Sequence, residues 1–455
     1  MTIRNAAPIL AVSMAAGLAI LLPGCLSATP SAAATLVVEP GDSIQAAVDR
    51  AGDGDTVLVR AGRYRENITV CRKRGLKIVS EQLYGAHLQG DGKRPIGFHD
   101  CEFRLGTSTA AGAPGTHVKG FLITDGPGYG EEGVGRTNNS TMPEQGMQVI
   151  GAGRNWTIDS VRIERVANGI VLGGNGAVIA DTVVTDIERR NAHFLLAAVP
   201  GQINASNPKI EDITISRATF TGCNTRDLIG RPAHTNCVKI LQANTVTVEH
   251  VVSENHVGSA FWLDWRVRNY VLRFSRFADQ RIPRTQKWMA AVQIEGNQSA
   301  DYGPADGVYD DGQICFNRFE DNEFADLHVA ETSNLSVYRN DFGRRSGMTL
   351  SVRDMGFDRH GAYPMSFVEV RDNTHTNISR GENENRVLID GLRGNRLIEA
   401  TDRTRADDLA KCAAHVRPAA YGPDCQGAFC GANTATAEAA YDPADFNALR
   451  LDSDA

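Results

Sequence analysis

The sequence predicts an all-β solenoid, and three observations support this fold class. Short strand-like phrases, such as residues 155–158 and 245–248, recur at spacings of roughly 22 to 24 residues. Each phrase alternates apolar and polar residues, which is the period of a strand with one buried face. Longer gaps are rich in Gly, Pro, Asn and Asp, as loop insertions are. Since no phrase buries its apolar face alone, neighbouring phrases must stack to form a core.

A second set of phrases lies between the first, and it carries polar residues at outward positions. Aligning the apolar pairs of these phrases predicts one outward column. Its members are Gln148, Val171, Lys239, Trp262, Gln293, His328 and Ser351. Two positions further along the strands, we expect Asp264 and Glu295 on adjacent rungs, with Cα atoms about 5 Å apart.

Asparagines recur just after the strand phrases, where they are expected to stack at turns. An asparagine tolerates the left-handed turn conformation, and its amide can bond to the asparagine of the next coil. These residues are Asn244, Asn255, Asn297, Asn322, Asn340 and Asn373. We interpret them as structural.

The composition is typical of a globular protein with a large core. Of its 455 residues, 42% are hydrophobic, 22% are charged and 7% are aromatic, so the core should consist of aliphatic stacks. The formal net charge of -7 argues against a general nucleic-acid binder. We therefore expect no nucleic-acid partner.

The N-terminus is interpreted as an export signal rather than as part of the fold. Residues 6–22 are apolar, and residues 22–25 resemble a bacterial lipobox, whose cysteine carries lipid. The resemblance implies a lipoprotein signal segment at residues 1–25 and a lipid anchor at Cys25 in the cell envelope. The alternative is ordinary cleavage after Ala34, which would release a periplasmic or secreted protein. In both cases the protein leaves the cytoplasm.

The cysteine count agrees with export. Nine cysteines, or eight without Cys25, suggest up to four disulfides in an exported chain. The plausible local pairs are Cys223 with Cys237 and Cys71 with Cys101. The C-terminal cluster consists of Cys412, Cys425 and Cys430, and one of its members is expected to reach back to Cys315. A zinc site is the rival interpretation, but the spacings do not match the usual ligand pairs.

The first strands and the helix after them carry a family resemblance. Residues 36–48 read LVVEPGDSIQAAV, residues 52–59 read GDGDTVLV and residues 62–68 read GRYRENI. This order of strand, short helix and first coil resembles the opening of right-handed parallel β-helix proteins of the pectate-lyase-like superfamily. The resemblance implies a right-handed single-stranded parallel β-helix with a short N-terminal capping helix. Asp42 or Ser43 can cap that helix.

The repeat stops near the C-terminus. Residues 405–415 predict a short helix, followed by a Gly-, Ala- and Cys-rich tail, so we expect a C-terminal helical cap held by a disulfide. After the signal segment, the predicted organisation is a spacer at residues 26–35, the β-helix at 36–400, and the cap and tail at 401–455.

The outward column carries side chains suited to sugar chemistry. Lys239 and His328 can exchange protons or hold an anion, which makes them candidate catalytic residues. Trp262 can stack on a sugar ring, and with Gln293 it is a candidate substrate-binding residue. Each also has a structural interpretation: a solvated charge, a surface histidine, a packing residue and a rung of a polar ladder.

Asp264 and Glu295 allow two kinds of chemistry. Their expected spacing is close to the ~5–5.5 Å between the carboxyl groups of retaining glycosidases. Two adjacent anions also favour a cation, so calcium is a candidate cofactor. Ion pairing with Arg266 and Arg268 is the alternative. Further oxygen ligands in the following loop are Asp301, Asp306, Asp310 and Asp311.

Residues 266–287 form a basic stretch in an acidic chain, with Asp279 as their one acid. Such a stretch favours an anionic polymer, for example a uronate-containing or sulfated polysaccharide. Arg266 and Arg268 are therefore candidate substrate-binding residues. The alternative is that the arginines pair with acids on neighbouring coils.

Within the basic stretch, Arg281-Ile282-Pro283-Arg284 resembles the start of the pectate lyase motif Arg-x-Pro-x-x-Arg, whose first arginine acts as base. The resemblance carries over Arg281 and Pro283 and implies that Arg281 is a candidate base. Gln286 stands where the motif has its second arginine. The family's calcium-site aspartates and its Trp-Ile-Asp-His motif are not met either.

Together these features predict an exported carbohydrate-active protein that cleaves a uronate-containing polysaccharide by β-elimination. Lys239 or Arg281 would remove the C5 proton, and His328 would assist the leaving C4 oxygen. One alternative is a non-catalytic glycan-binding or adhesin solenoid, because a fold does not settle function. Another is a glycoside hydrolase that uses Asp264 and Glu295. The expected partners are a polysaccharide, preferably anionic, and a membrane through the lipid anchor, and we expect a monomer.

Overall fold

The chain winds into a coil whose sides are three parallel sheets, in a computed structural model. Each coil passes through sheets A, B and C in turn, so neighbours within a sheet come from successive coils. The structure describes residues 32–101, 112–129, 148–188, 195–197, 210–227, 236–241, 243–264, 267–284, 289–295, 312–330, 332, 335–343, 347–351, 369–374, 378–380, 396–398 and 404–414. The predicted all-β solenoid is confirmed.

The strands are numbered in chain order. Sheet A contains β1 (Thr35–Val38), β2 (Thr56–Val59), β5 (Lys77–Ser80), β8 (His117–Lys119), β11 (Thr157–Asp159), β14 (Val178–Ala180), β17 (Ile210–Ser216), β20 (Ala243–Glu249), β23 (Arg268–Arg273), β26 (Gly312–Cys315), β29 (Leu335–Tyr338), β31 (Glu369–Arg371) and β33 (Arg396–Ile398). Sheet B contains β3 (Gly62–Tyr64), β6 (Ala86–Gln89), β9 (Leu122–Thr124), β12 (Arg162–Val166), β15 (Val183–Ile187), β18 (Thr219–Cys223), β21 (Val252–Val257), β24 (Arg276–Arg281) and β27 (Arg318–Glu320). Sheet C contains β4 (Asn67–Val70), β7 (Gly97–Asp100), β10 (Gln148–Ala152), β13 (Asn168–Leu172), β16 (Leu195–Ala197), β19 (Asn236–Leu241), β22 (Ser259–Asp264), β25 (Ala290–Glu295), β28 (Ala325–Ala330), β30 (Met348–Ser351) and β32 (Ile378–Arg380).

Stacked apolar side chains fill the interior of the coil. Sheet A contributes an aliphatic column that includes Val118, Ile158, Ile179 and Ile215, in register on successive strands. Later coils add an aromatic ladder with ring centroids 5.1 to 5.9 Å apart. Its members are Phe220, Phe261, Phe277, Phe319 and Phe342. Each fully buried side chain of this size contributes about 1.5–3 kcal/mol.

The turns from sheet A to sheet B follow one pattern. In eight turns the first residue has a positive φ between 49° and 58°: Ser160, Asp181, Arg217, His250, Phe274, Phe316, Arg339 and Asp372. In the later coils the next residue is an asparagine. Asn340 Oδ1 accepts from the backbone N–H of Asn317 at 3.0 Å, and Asn373 Oδ1 accepts from that of Asn340 at 2.9 Å. The predicted stacking is thus confirmed for Asn340 and Asn373, whereas Asn297 lies outside the described residues.

Helix α1 (Ile44–Arg50) covers the N-terminal end of the coil. Ser43 caps it by accepting from the Ala46 N–H, and Ile44 and Val48 face the core. The amide of Gln45 pairs with the edge strand of sheet C. Its Nε2 donates to the carbonyl of Thr69 at 3.0 Å, and its Oε1 accepts from the Thr69 N–H at 2.7 Å.

Helix α2 (Arg405–Ala414) folds back over the outer face of sheet A. It is tied to β26 by the Cys315–Cys412 disulfide. Its Asp408 forms ion pairs with Arg371 at 2.7 Å and Arg339 at 2.6 Å. The sequence predicted the helix, and Cys412 is the member of the C-terminal cysteine cluster that reaches back to Cys315. Neither described helix is long and apolar enough to span a membrane.

The remaining described cysteines give a mixed result. Cys223 and Cys237 form the predicted disulfide. Cys71 and Cys101 do not form the predicted disulfide with each other, although they follow β4 and β7, which lie side by side. Cys425 and Cys430 lie outside the described residues.

Candidate functional site

Four predicted residues form one column on the outer face of sheet C. Lys239, Trp262, Gln293 and His328 occupy matching positions of β19, β22, β25 and β28. The flanking positions in these strands hold core residues such as Phe261. Because side chains alternate along a strand, the column faces away from the core. The predicted juxtaposition is confirmed.

Two predicted members of the column lie elsewhere. Gln148 pairs with Asn168 in the next strand, and Ser351 pairs with Ala330. Their predicted places belong to Gly151 and Thr349. Ser351 was placed two residues away from the correct position, and a shift of two residues keeps a side chain on the same face of the strand. Gln148 was misplaced because Val149 and Ile150 are both apolar and both buried, so the alternation of apolar and polar residues is lost there.

Although these four side chains face away from the core, they are buried rather than exposed to solvent. The exposed fractions are 2% for Lys239, 4% for Trp262, 0% for Gln293 and 7% for His328. Alternation reveals which face a side chain occupies, but it does not reveal what covers that face.

Lys239 is held by two neighbours on the adjacent strand. Its Nζ lies 2.8 Å from Asp264 Oδ2, in an ion pair whose side chains are 3% and 8% exposed. The same Nζ lies 3.8 Å from the centroid of the Trp262 ring. The lysine therefore covers one face of the indole, and that face does not offer the predicted stacking surface for a sugar. Asp264 pairs with Lys239, whereas the sequence suggested arginine partners.

Asp264 and Glu295 are the last residues of β22 and β25, and they continue the same register. Both are buried, at 5% and 3% exposed. The spacing between adjacent strands therefore places the two backbones about 4.8 Å apart, as predicted. Among the described residues, no cluster of three or more His, Cys, Asp or Glu side chains is arranged to hold a metal. Calcium stays a prediction, since residues 301–311 lie outside the described residues.

Lys239 and His328 lie too far apart to act on the same bond, as base and as the residue that assists the leaving oxygen. Three strand spacings separate them, so their backbones stand about 14 Å apart. Base and leaving-group assistance in one elimination act on the same sugar ring. Lys239 and His328 are therefore too far apart to act together on one sugar ring.

The described arginines of the basic stretch lie outside sheet C. Arg268 is in β23 of sheet A, and Arg281 ends β24 of sheet B, where it donates to Asn255 at 3.3 Å. Neither belongs to the column. Arg273 and Arg276 pair with acids on neighbouring coils, as the alternative interpretation held. Arg266 lies outside the described residues.

Sequence reasoning missed how Trp262 and Gln293 are bonded. Gln293 Nε2 donates to Met289 Sδ at 3.6 Å, a weak contact. The Oε1 of Gln293 and the Nε1 of Trp262 are buried without a hydrogen-bond partner. No sequence signal could have revealed this, because alternation does not specify side-chain bonding.

Long connections flank sheet C. Residues 160–161 suffice to join β11 to β12 across the turn from sheet A to sheet B. In contrast, residues 125–147 precede β10 and residues 296–311 follow β25, both of which belong to sheet C. These gap lengths could have been read from the sequence. Loops carry binding residues in many folds, so this pattern singles out sheet C.

Three parallel sheets wound into one coil define the class: a right-handed parallel β-helix, the fold that the resemblance to pectate-lyase-like proteins implied. No family model and no curated protein matches the chain. Similar solved structures include an alginate lyase from Paenibacillus sp. strain FPU-7, with a TM-score of 0.40 and 11% identity, covering 76% of this chain and 98% of that one.

Two further solved structures are similar. The catalytic unit of a GH87 α-1,3-glucanase from Streptomyces thermodiastaticus strain HF3-3 has a TM-score of 0.46 and 14% identity, covering 82% of this chain and 70% of that one. A periplasmic alginate epimerase has a TM-score of 0.41 and 10% identity, covering 80% of this chain and 83% of that one. At these identities the similarity concerns the fold alone.

Proposed function

We propose that this chain is a carbohydrate-active protein that hydrolyses a polysaccharide at the outer face of sheet C, with Asp264 and Glu295 as the reacting pair. One observation carries the proposal: two buried carboxyl groups on adjacent rungs face outward, and Lys239 is paired with one of them. A buried ion pair is often no more stable than apolar residues of the same volume. Its presence on the outer face therefore favours a functional role.

The reaction would follow the two steps of a retaining glycosidase. Asp264 attacks the anomeric carbon, while Glu295 gives its proton to the glycosidic oxygen, and the bond between carbon and oxygen breaks. Glu295 then takes a proton from water, and the resulting hydroxide displaces Asp264 from the anomeric carbon. Lys239 holds Asp264 in place. Because these side chains are buried, productive binding requires the outer face of sheet C to open.

A second candidate is β-elimination from a uronate, and the position of His328 in the same column favours it. An imidazole exchanges protons near neutral pH, so His328 would take the C5 proton. The C4–O4 bond breaks as a C4=C5 double bond forms, and Glu295, on the neighbouring strand, would protonate the leaving oxygen. In this scheme Lys239 contributes charge to a neighbouring sugar of the polymer.

The two reactions are separated by their products. Protein lacking residues 1–34 is incubated with neutral and anionic polysaccharides, with and without calcium. Hydrolysis yields reducing ends without new ultraviolet absorbance, whereas elimination yields unsaturated ends that absorb. Retarded migration in glycan-containing gels without either product would indicate the binding-only alternative. The absence of products and of retardation across the panel would refute the proposal.

Variants then assign the residues. Glu295→Gln should impair both reactions, whereas His328→Ala should impair elimination alone. A matched control is Asp159→Asn on sheet A, because Asp159 is also buried and lies 2.8 Å from a lysine, Lys119. Equal activity losses for Glu295→Gln and the control would point to a general structural effect.

We also propose that the protein is exported and anchored by lipid at Cys25. The Cys223–Cys237 and Cys315–Cys412 disulfides support export, because such bonds persist in oxidising compartments. Full-length protein should sediment with membranes, and the Cys25→Ser variant should be found in the soluble fraction. Equal sedimentation of both would refute the anchor.

A further inference from the structure

Trp262 and Gln293 present a donor and an acceptor on adjacent rungs. They are register partners in β22 and β25, at 4% and 0% exposed. The indole N–H of Trp262 can only donate, and the amide oxygen of Gln293 can only accept. Both atoms are buried without a partner.

Two described groups of the same kinds are satisfied, whereas the amide oxygen of Gln280 is also buried without a partner. Trp156 is fully buried, and its Nε1 donates to the Ala113 carbonyl at 2.9 Å. Gln45 uses both ends of its amide against Thr69. A buried polar atom left unpaired costs about 1–3 kcal/mol. Trp262 and Gln293 differ from Trp156 and Gln45, because they leave a donor and an acceptor unpaired at matching positions of neighbouring strands.

We propose that Trp262 Nε1 and Gln293 Oε1 together bind one sugar hydroxyl. The hydroxyl oxygen accepts from the indole N–H, and the hydroxyl proton is donated to the amide oxygen. An ionised carboxylate or sulfate has no proton to give to Gln293, so this subsite takes a hydroxyl rather than an acidic group. The inference rests on the proposed function and specifies the part of the sugar that is recognised.

The position of the pair fits the reacting carboxyl groups. Trp262 precedes Asp264 by two residues, and Gln293 precedes Glu295 by two. Two residues span about 6.5 Å of strand, which is within the reach of one sugar ring. A ring whose anomeric carbon meets Asp264 can therefore place one of its hydroxyls between Trp262 and Gln293.

The test measures binding and stability on the same variants. The probe is whichever binds the wild type more tightly, a neutral oligoglucoside or an anionic oligogalacturonate. Gln293→Leu should weaken binding by about 3- to 10-fold, since one neutral hydrogen bond is lost. Its melting temperature should be equal to or above that of the wild type, because an unpaired polar atom has been removed. Trp262→Phe keeps a ring beside Lys239 and should weaken binding by a similar factor.

The matched control is Gln313→Leu on the outer face of sheet A. The Oε1 of Gln313 accepts from the Tyr338 hydroxyl at 2.7 Å, so this variant should lower stability and leave binding unchanged. If Gln293→Leu binds the probe as the wild type does, the hydroxyl subsite is refuted and the proposed function stands. A lower melting temperature for Gln293→Leu would also refute it, since Oε1 would then have had a partner. A wild type that binds neither probe would refute the subsite, and the polysaccharide screen would then decide the proposed function separately.

Discussion

The outer faces of sheets A and C both bury charged residues, but their described surroundings differ. On sheet A, Arg371 and Tyr338 lie beneath α2, and Asp408 from that helix pairs with Arg371 and Arg339. Arg273 donates to the Cys412 carbonyl at the end of the helix at 2.7 Å. On sheet C, Lys239 pairs with Asp264 from its own sheet, and Trp262 and Gln293 retain unpaired atoms.

The difference separates a structural column from a candidate site. The charges beneath α2 are matched by a helix of the same chain, and a disulfide fixes that helix. Burial of an outward charge is thus explained by the fold on sheet A. On sheet C, the unpaired donor and acceptor favour recognition of a ligand.

The largest expected effect tests the catalytic side of this comparison. Glu295→Gln should lower kcat by about 10²- to 10⁴-fold, because general acid–base catalysis contributes that much. Asp408→Asn, at the buried acid of sheet A, should leave kcat within about threefold of the wild type. Steady-state rates on the cleaved polysaccharide provide the measurement. Similar losses in both variants would erase the distinction between the two faces.

Asp408→Asn should instead act on stability. It leaves Arg371 buried without its main partner, which costs about 3–5 kcal/mol of unfolding free energy. Burial opposes ionisation of Asp408, but bonds from Arg371 and Arg339 outweigh it, so the pKa of this carboxyl lies below its ordinary value. Its contribution is therefore present above about pH 4 and is lost as the pH falls through the lowered pKa. Urea unfolding at pH 7 and at pH 3 measures both effects, and an unchanged midpoint at pH 7 would contradict the first.

The disulfide that holds α2 should contribute no more to the free energy of unfolding than the buried ion pair does. Cys315 and Cys412 are separated by 97 residues, and removing such a bond typically costs about 2–5 kcal/mol. Cys315→Ser/Cys412→Ser should lower the melting temperature and leave glycan binding intact. Weakened binding would mean that sheet A contributes to the site.

A buried histidine inside the coil gives a pH-dependent effect that is smaller for each pH unit. Burial lowers the pKa of His256 to about 3, and its Nε2 lies 2.8 Å from Ser253 Oγ. The unfolded chain protonates this histidine below about pH 6.5, whereas the folded protein keeps it neutral. The free energy of unfolding should therefore fall as the solution is acidified, by up to about 1.4 kcal/mol for each pH unit between roughly 6.5 and 3. Chemical denaturation of the wild type and His256→Gln measures this slope, and equal slopes would contradict the assignment.

The smallest effect belongs to an exposed ion pair on the turn beside sheet A. Arg217 and Asp181 lie 2.7 Å apart with side chains 44% and 36% exposed. Arg217→Ala should change the unfolding free energy by about 0–1 kcal/mol, and the remaining contribution should weaken in high salt. A loss of more than about 2 kcal/mol of unfolding free energy would show that this exposed ion pair contributes as much as a buried one.

Much of the fold could be predicted from the sequence, because its signals are local. The alternation of residues 245–248 and the capping residue Ser43 each report on their own segment. The positions of Lys239, Trp262, Gln293 and His328 also followed, since apolar neighbours set their register. Their burial and the ion pair between Lys239 and Asp264 could not be predicted. These features depend on what covers the sheet and on side-chain direction, which the period of two does not specify.

The pairing of Gln45 with Thr69 has a consequence for association. A parallel sheet that ends in an open strand offers its backbone to another molecule, and a stacked coil repeats this hazard at each end. The amide of Gln45 imitates a peptide group and takes the bonds that an incoming strand would need. A chain with alanine at this position would leave the backbone groups of Thr69 without these bonds, and its molecules should have a greater tendency to associate end to end.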